Sequence, residues 1–159
     1  MIQKMKKHLL KVACILAVLA GMTSCEGYEV PTGKPEESIE LTRCWHLVSI
    51  YGAQVEADIH IDFGKDGKFA IYQRTEELTY TVFNGTYTAD EATSVISGVY
   101  DDGTEWLTSY NYVVDKEAKT LTLTSVNNPS EVSVYEPSKV PASATMSSRS
   151  ATANDVKPL

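Results

Sequence analysis

The stretch DIHIDFGKDGKFAIY, residues 58–72, is the clearest indication of the fold class of this chain. Its first six residues alternate polar and apolar side chains, which is the period of a half-buried β-strand. The dipeptide Asp66-Gly67 follows as a strong hairpin turn signal, because the tight turn between antiparallel strands favours glycine. A second apolar segment, FAIYQR, begins directly after the turn. The stretch therefore predicts an antiparallel β-hairpin.

The same period-two pattern continues on both sides of this hairpin. The further segments are CWHLVSIY upstream and LTYTVFNGTYT, SVISGVY, YNYVVD, TLTLTSV and EVSVYE downstream. Residues 41–136 thus read as eight short strands joined by polar connections, with no convincing helix. Sequential hairpins favour an all-β, antiparallel up-and-down meander, and eight such strands can close into a barrel that leaves no exposed edge. A β-sandwich fits the same pattern and stays as the alternative.

The start of the chain carries an export signal. Lysines precede the apolar run 9–20, whose 12 residues fall short of the ~20 that a membrane-spanning helix needs. Small residues follow this run, as they do at the cleavage site of a secretory signal. Residues 1–24 are therefore predicted to be a signal peptide, with a permanent anchor helix as the alternative.

Cys25 follows directly and is the predicted site of lipidation. The stretch Met22-Thr23-Ser24-Cys25 resembles the bacterial lipobox, in which small residues precede a cysteine that is acylated. Two acyl chains are enough for stable anchoring. Residues 25–40 would be the lipidated cysteine and a flexible tether, and the chain is expected on the outer membrane, facing the periplasm or the cell surface. An ordinary signal peptide with a chance cysteine is the alternative.

Charge and cysteine content exclude several classes of partner and site. Removal of residues 1–24 takes away four of the 14 basic residues and leaves 10 against 21 acidic ones, a net charge of −11. Such acidity argues against nucleic acid as a partner, because nucleic acid binds basic surfaces.

After removal of residues 1–24 and lipidation of Cys25, Cys44 is the one cysteine that remains unmodified, so no disulfide framework is expected. Cys44 is interpreted as a small buried hydrophobe, and no cluster of cysteine or histidine predicts a metal or another cofactor.

The last segment, residues 137–159, changes in composition. Ser, Thr, Ala and Pro make up 14 of its 23 positions, and no apolar period continues. Such a composition predicts a disordered tail.

Several segments resemble the lipocalin-like domains of small bacterial lipoproteins. The resemblance lies in LTRCWHLVSIY, HIDFGKDGKFAIY, FNGTYTAD and YNYVVDKEAKTLTLT, and it covers about residues 41–136. The shared features are a Trp on the first strand, a DG hairpin, a G-x-Y strand and a Leu-Thr-Leu strand. Arg43 stands where lipocalins usually have glycine. The resemblance implies a closed or nearly closed barrel on a lipid tether, a binding activity, and a structural role for Trp45 at the barrel floor.

Catalysis is not expected. His60 alternates with Asp58 and Asp62 on the predicted outer face, and a carboxylate–histidine pair can transfer protons. A solvated polar face is the commoner explanation of that pattern, and the chain has no G-x-S-x-G nucleophile motif. We therefore expect a protein that is not an enzyme.

Tyrosines on the predicted strands supply the candidate binding residues. Tyr110 and Tyr112 share one face of a strand and come first, followed by Tyr80; cross-strand packing is the alternative role. The function favoured by the sequence is a lipid-anchored binding protein for a small apolar ligand. The alternative is an accessory envelope lipoprotein with a filled barrel, which binds another envelope protein through an exposed apolar patch of its outer surface.

Overall fold

The structure, a computed structural model, describes residues 39–76 and 79–159. The predicted signal peptide, Cys25 and most of the tether lie outside the described residues. The elements are β1 Cys44–Ile50, β2 Ala53–Gln54, β3 Ile59–Phe63, β4 Lys68–Glu76, β5 Thr79–Asp90, β6 Val95–Tyr100, β7 Tyr110–Asp115, β8 Thr120–Ser125, β9 Val132–Pro137, α1 Ala142–Met146 and β10 Ser148–Ser150.

Eight of these strands close into an antiparallel barrel. They follow the order β1-β3-β4-β5-β6-β7-β8-β9, and β9 returns to pair with β1 from Trp45–Pro137 to Ile50–Ser133. Two short strands are added outside this circuit: β2 pairs with β1, and β10 pairs in parallel with β5. The predicted all-β, up-and-down, lipocalin-like barrel is confirmed. The sandwich alternative is excluded because the hydrogen-bonded circuit has no gap between two sheets.

The hairpin that decided the fold class forms as its sequence predicts. Strands β3 and β4 pair from Ile59–Gln73 to Phe63–Phe69. Between them Gly67 takes a φ of +76°, which a side chain would strain. The carboxylate of Asp66 accepts a hydrogen bond from the backbone N–H of Lys68 at 3.2 Å, which closes the turn.

The interior of the barrel is filled largely by its own side chains. Phe69 makes edge-to-face contacts with Trp106 and Tyr100, with ring centroids 5.2 and 5.5 Å apart, the geometry that aromatic rings favour. Trp45 is fully buried, and its indole N–H donates to the carbonyl of Leu41 at 2.9 Å. The buried cluster contains Trp45, Leu47, Ile61, Phe63, Phe69, Ile71, Phe83, Ile96, Tyr100, Trp106, Tyr110, Leu121, Leu123, Tyr135 and Leu159.

The prediction that residues 137–159 are disordered is wrong. This segment forms α1 and β10, and it ends with Leu159 buried in the core. The physical reason lies in β5, which pairs with β6 only from Gly85 onward. The first half of β5 would otherwise present an open edge, which β10 covers by pairing with Tyr80–Val82. Composition alone does not reveal such a long-range contact.

Candidate functional site

Each end of the barrel carries a cavity. End 1 is the end with the connections β3–β4, β5–β6 and β7–β8, and it is overlaid by residues 39–42. Its cavity, cavity 1, has a volume of about 530 Å³. The apolar and aromatic lining comprises Ile39, Leu41, Tyr87, Ala89, Tyr112 and Val114, and the charged residues around it are Glu40, Lys65, Glu91 and Lys116. The apolar lining of cavity 1 packs against the buried cluster of the core.

Two tyrosines give cavity 1 its chemical character. The hydroxyl of Tyr87 donates to the carbonyl of Gly64 at 2.8 Å, and its ring packs edge-on against Phe63 with centroids 4.9 Å apart. Tyr112 contributes a second, partly buried ring from β7. Desolvation by burial raises the pKa of both phenols, so both hydroxyls stay protonated at neutral pH. Cavity 1 therefore presents aromatic faces and neutral hydroxyl groups.

Cavity 2 lies at the opposite end and is closed by the chain itself. It has a volume of about 130 Å³, and residues 156–159 form one of its walls. Tyr110 and Tyr135 lie on the facing wall together with aliphatic residues of β1, β3 and β4. Burial raises the pKa of Tyr110 to about 12. Since small-molecule sites usually measure about 300–1,000 Å³, cavity 2 is too small for a typical ligand while residues 156–159 are in place.

A third feature is a polar cluster on the outer wall of the barrel. The Nε2 of His60 lies 2.9 Å from Oδ1 of Asp58, and the Nδ1 of His60 lies 3.0 Å from Oγ of Ser138. His46 stacks on His60 with ring centroids 4.5 Å apart, because β1 and β3 place these residues directly opposite each other. The other oxygen of Asp58 accepts a hydrogen bond from the hydroxyl of Tyr80 at 2.7 Å.

The surroundings of this cluster determine its protonation. Desolvation by burial lowers the pKa of His60, and the hydrogen bond with Asp58 opposes this only in part. For Asp58, burial alone would raise the pKa, but the hydrogen bonds from Tyr80 and His60 and the charge of Arg74 outweigh it and lower the pKa. At neutral pH the cluster therefore holds a carboxylate beside a neutral imidazole.

The candidate residues from the sequence are brought to different places. Tyr110 and Tyr112 share the inner face of β7, but Tyr110 lines cavity 2 and Tyr112 lines cavity 1. Tyr80 lines neither of these cavities, since its hydroxyl lies in the outer-wall cluster. Trp45 lies in the core, and Cys25 lies outside the described residues.

Sequence reasoning missed several residues of these sites. Tyr87, one of the tyrosines on the predicted strands, was not among the candidate binding residues, although it lies on the same face of β5 as Phe83, four positions away. The approach of His46 to Asp58 and His60 depends on the register between β1 and β3, which no local pattern gives. The wall formed by residues 156–159 depends on the fold of the whole chain.

Comparison with known proteins names no family. No protein-family model matches the chain, and no curated protein matches it. The helix of the described residues, α1, has five residues and is too short to cross a membrane.

Proposed function

We propose that this chain is a lipid-anchored, lipocalin-like binding protein of the bacterial cell envelope, which takes a small and mainly apolar ligand in cavity 1. The observation that carries the proposal is the cavity itself. Its volume of about 530 Å³ lies within the range of about 300–1,000 Å³ that is usual for small-molecule sites. It is lined mainly by apolar and aromatic side chains, with charged groups around it.

The lining indicates the kind of ligand. Tyr87 is held by its hydrogen bond to Gly64, so its ring is ordered before a ligand arrives. Such preorganisation lowers the entropic cost of binding. Rings of Tyr87 and Tyr112 can pack against a flat apolar body, and Lys65 and Lys116 lie where a polar or anionic end of the ligand would reach the solvent. A flat apolar molecule with one polar end fits this arrangement best.

A tether lipidated at Cys25 would keep the site near a membrane. Cavity 1 is lined by residues 39–42, which include the last two residues of the predicted tether. Cys25 and Ile39 are 14 residues apart, and an extended chain spans at most ~3.3–3.6 Å per residue. With acyl chains on Cys25, cavity 1 would therefore stay within about 50 Å of the membrane surface. An apolar ligand that partitions into lipid would have at most this distance to cross between the membrane surface and cavity 1.

Ligand binding can be tested by filling the cavity. Residues 25–159 with Cys25→Ala, which keep every described residue, are purified without detergent and examined by native mass spectrometry and by titration with a panel of apolar and aromatic molecules. Val114→Trp adds a large side chain to cavity 1, and we expect it to abolish binding. Val113→Trp is the matched control. Val113 is the neighbour of Val114 on β7, but its side chain points away from the barrel and is 59% exposed.

Two results would contradict the proposal. One is the absence of a bound mass together with no binding across the panel. The other is a ligand that binds Val114→Trp as tightly as the unsubstituted protein, since that ligand would lie elsewhere. Circular dichroism of both tryptophan variants checks that the barrel remains folded.

A second function, that of an accessory protein, is favoured by the largely filled interior of the barrel and by the exposed apolar residues at the other end of the barrel. Leu107 is 84% exposed in the β6–β7 connection. Val126 is also exposed, and its backbone N–H donates to the carbonyl of Ser109 at 2.9 Å, which keeps it near this connection. If this surface binds another envelope protein, Leu107→Asp should abolish the complex in cross-linking on intact cells, and Val113→Asp should not.

A further inference from the structure

We propose that His46, Asp58 and His60 form a binding site for one divalent transition-metal ion, with Zn²⁺ as the ion of choice, on the outer wall of the barrel. This site is separate from cavity 1 and does not depend on the proposed ligand. No metal was predicted from the sequence, because it contains no local cluster of cysteine or histidine, and His46 stands 12 and 14 residues before Asp58 and His60. The barrel brings the three together.

The three side chains offer donor atoms at a suitable spacing. One donor atom from each residue lies within 4.8 Å of the other two. Oδ1 of Asp58 is 2.9 Å from Nε2 of His60 and 3.9 Å from Nε2 of His46. Ligand bonds of about 2.0–2.1 Å in a tetrahedral zinc site place the donor atoms roughly 3.3 Å apart. His46, whose side chain is 38% exposed, has room for the small shift that this requires.

The elements that carry these residues are rigid. His46 and His60 are directly paired residues of β1 and β3, both within the closed sheet. Asp58 lies directly before β3, where its carbonyl accepts a hydrogen bond from the N–H of Arg74 at 3.0 Å, and its carboxylate lies 2.9 Å from His60 on the outer face. Sites built on paired strands hold their geometry better than sites on loops.

Neighbouring groups orient the donors as they do in known metal sites. A metal-binding histidine usually donates its second ring N–H to an oxygen atom, which fixes its tautomer. In His60 this partner is Oγ of Ser138, 3.0 Å from Nδ1. Binding of the ion at Nε2 moves the ring proton to Nδ1, where the serine hydroxyl accepts it. No oxidation or reduction is involved.

The carboxylate of Asp58 is held on its other side. Tyr80 donates to Oδ2 at 2.7 Å, and Arg74 lies 2.8 Å from the same oxygen. These contacts leave Oδ1 directed toward the two imidazoles. The guanidinium of Arg74 reduces the local negative charge, but its side chain is 42% exposed, so solvent screens its repulsion of a cation.

The donor set determines the class of ion. Two imidazoles and one carboxylate suit zinc and other first-row divalent ions better than Ca²⁺ or Mg²⁺, which prefer oxygen ligands. Three protein ligands leave a coordination position for water or another small ligand. Cys44 is not part of the set: its Sγ lies 3.4 Å from Oγ of Ser138, and the group of donor atoms within 4.8 Å of one another comprises those of His46, Asp58 and His60.

Titration with metal alone tests the site. Residues 25–159 with Cys25→Ala are treated with a chelator, dialysed, and titrated with Zn²⁺ by calorimetry and with Co²⁺ by absorption spectroscopy at neutral pH. We expect one ion per chain and a cobalt spectrum of nitrogen and oxygen ligands without a thiolate charge-transfer band. His46→Ala and His60→Ala should each weaken Zn²⁺ binding by at least about tenfold.

Asp62→Asn is the matched control, because it removes a carboxylate two residues beyond His60 on the same outer face, and it should leave the affinity unchanged. The more exposed His46 is the safer substitution if His60→Ala does not fold. The proposal is overturned if neither ion binds saturably, or if Zn²⁺ binds both histidine variants as tightly as the unsubstituted protein. A thiolate band that disappears in Cys44→Ala would also overturn the donor set.

Discussion

Tyr100 and Leu159 exchange two hydrogen bonds inside the barrel. The hydroxyl of Tyr100 donates to the carbonyl of Leu159 at 3.0 Å, and the N–H of Leu159 donates back to the same hydroxyl at 3.1 Å. The two residues are 59 positions apart and both are buried. This pair joins the segment after β10 to the barrel wall, and it explains why that segment is ordered.

Tyr100→Phe should therefore loosen the last segment of the chain. The substitution keeps the ring but leaves the N–H and carbonyl of Leu159 without this partner, and a buried unsatisfied polar group costs about 1–3 kcal/mol. We expect a lower melting temperature and faster amide hydrogen exchange in residues 156–159. Tyr51→Phe is the control, because Tyr51 is exposed and its loss of a hydroxyl should change neither quantity.

The attachment of this segment should also depend on pH. Lys157 donates a hydrogen bond to Asp102 at 2.7 Å, and this bond, with a further one from Thr104, lowers the pKa of Asp102 to about 2. A carboxyl group has a pKa of about 3.9 in an unfolded chain. The contact thus stabilises the fold above about pH 4 and is lost as the pH falls through about 2.

Hydrogen exchange of residues 156–159 between pH 5 and pH 2 measures this effect. Exchange, corrected for its intrinsic pH dependence, should rise toward pH 2 in the unsubstituted protein. In Asp102→Asn, hydrogen exchange of residues 156–159 should already be faster at pH 5, and it should rise less as the pH falls. An identical pH response in both proteins would show that another carboxylate is responsible. High salt should weaken the same contact, because the pair is exposed.

Gly85 should tolerate no side chain. A Cβ atom at this position would contact the carbonyl oxygen of Val99 and come within 2.7 Å of the ring of Phe69. Overpacking of a core typically costs about 1–3 kcal/mol. Gly85→Ala should therefore lower the free energy of unfolding in denaturant titrations by at least this amount. Thr86 is the next residue on β5, and its side chain is exposed. Thr86→Ala should therefore change the free energy of unfolding by less than about 0.5 kcal/mol.

Lipidation at Cys25 predicts a change of location. Cys25→Ala removes the thiol that would carry the acyl chains, so the protein should move from the membrane pellet to the soluble periplasmic fraction. Cys44→Ala should remain in the pellet, because Cys44 is buried in the barrel wall. If Cys25→Ala still sediments with membranes after a high-salt wash, the lipobox interpretation is wrong.

Local features of this protein follow from its amino-acid pattern alone. Alternation of polar and apolar residues and the Asp66-Gly67 turn were enough to predict the strands and their antiparallel order, because both signals depend only on neighbouring residues. The shared face of Tyr110 and Tyr112 followed from the same alternation. Tyr80, a candidate for the ligand site, lies three positions from the inward-facing Phe83 on β5, so the same alternation places it on the outer wall.

What the strands enclose depends on contacts that are visible only in the tertiary structure. Closure of the barrel depends on the pairing of β1 with β9, whose residues are about 90 positions apart in the chain. The register between β1 and β3 unites His46 with Asp58 and His60, and a contact across 59 positions with Tyr100 holds Leu159 in the core. Local patterns carry no information on which distant segments meet, because that choice depends on the free energy of the whole packed interior.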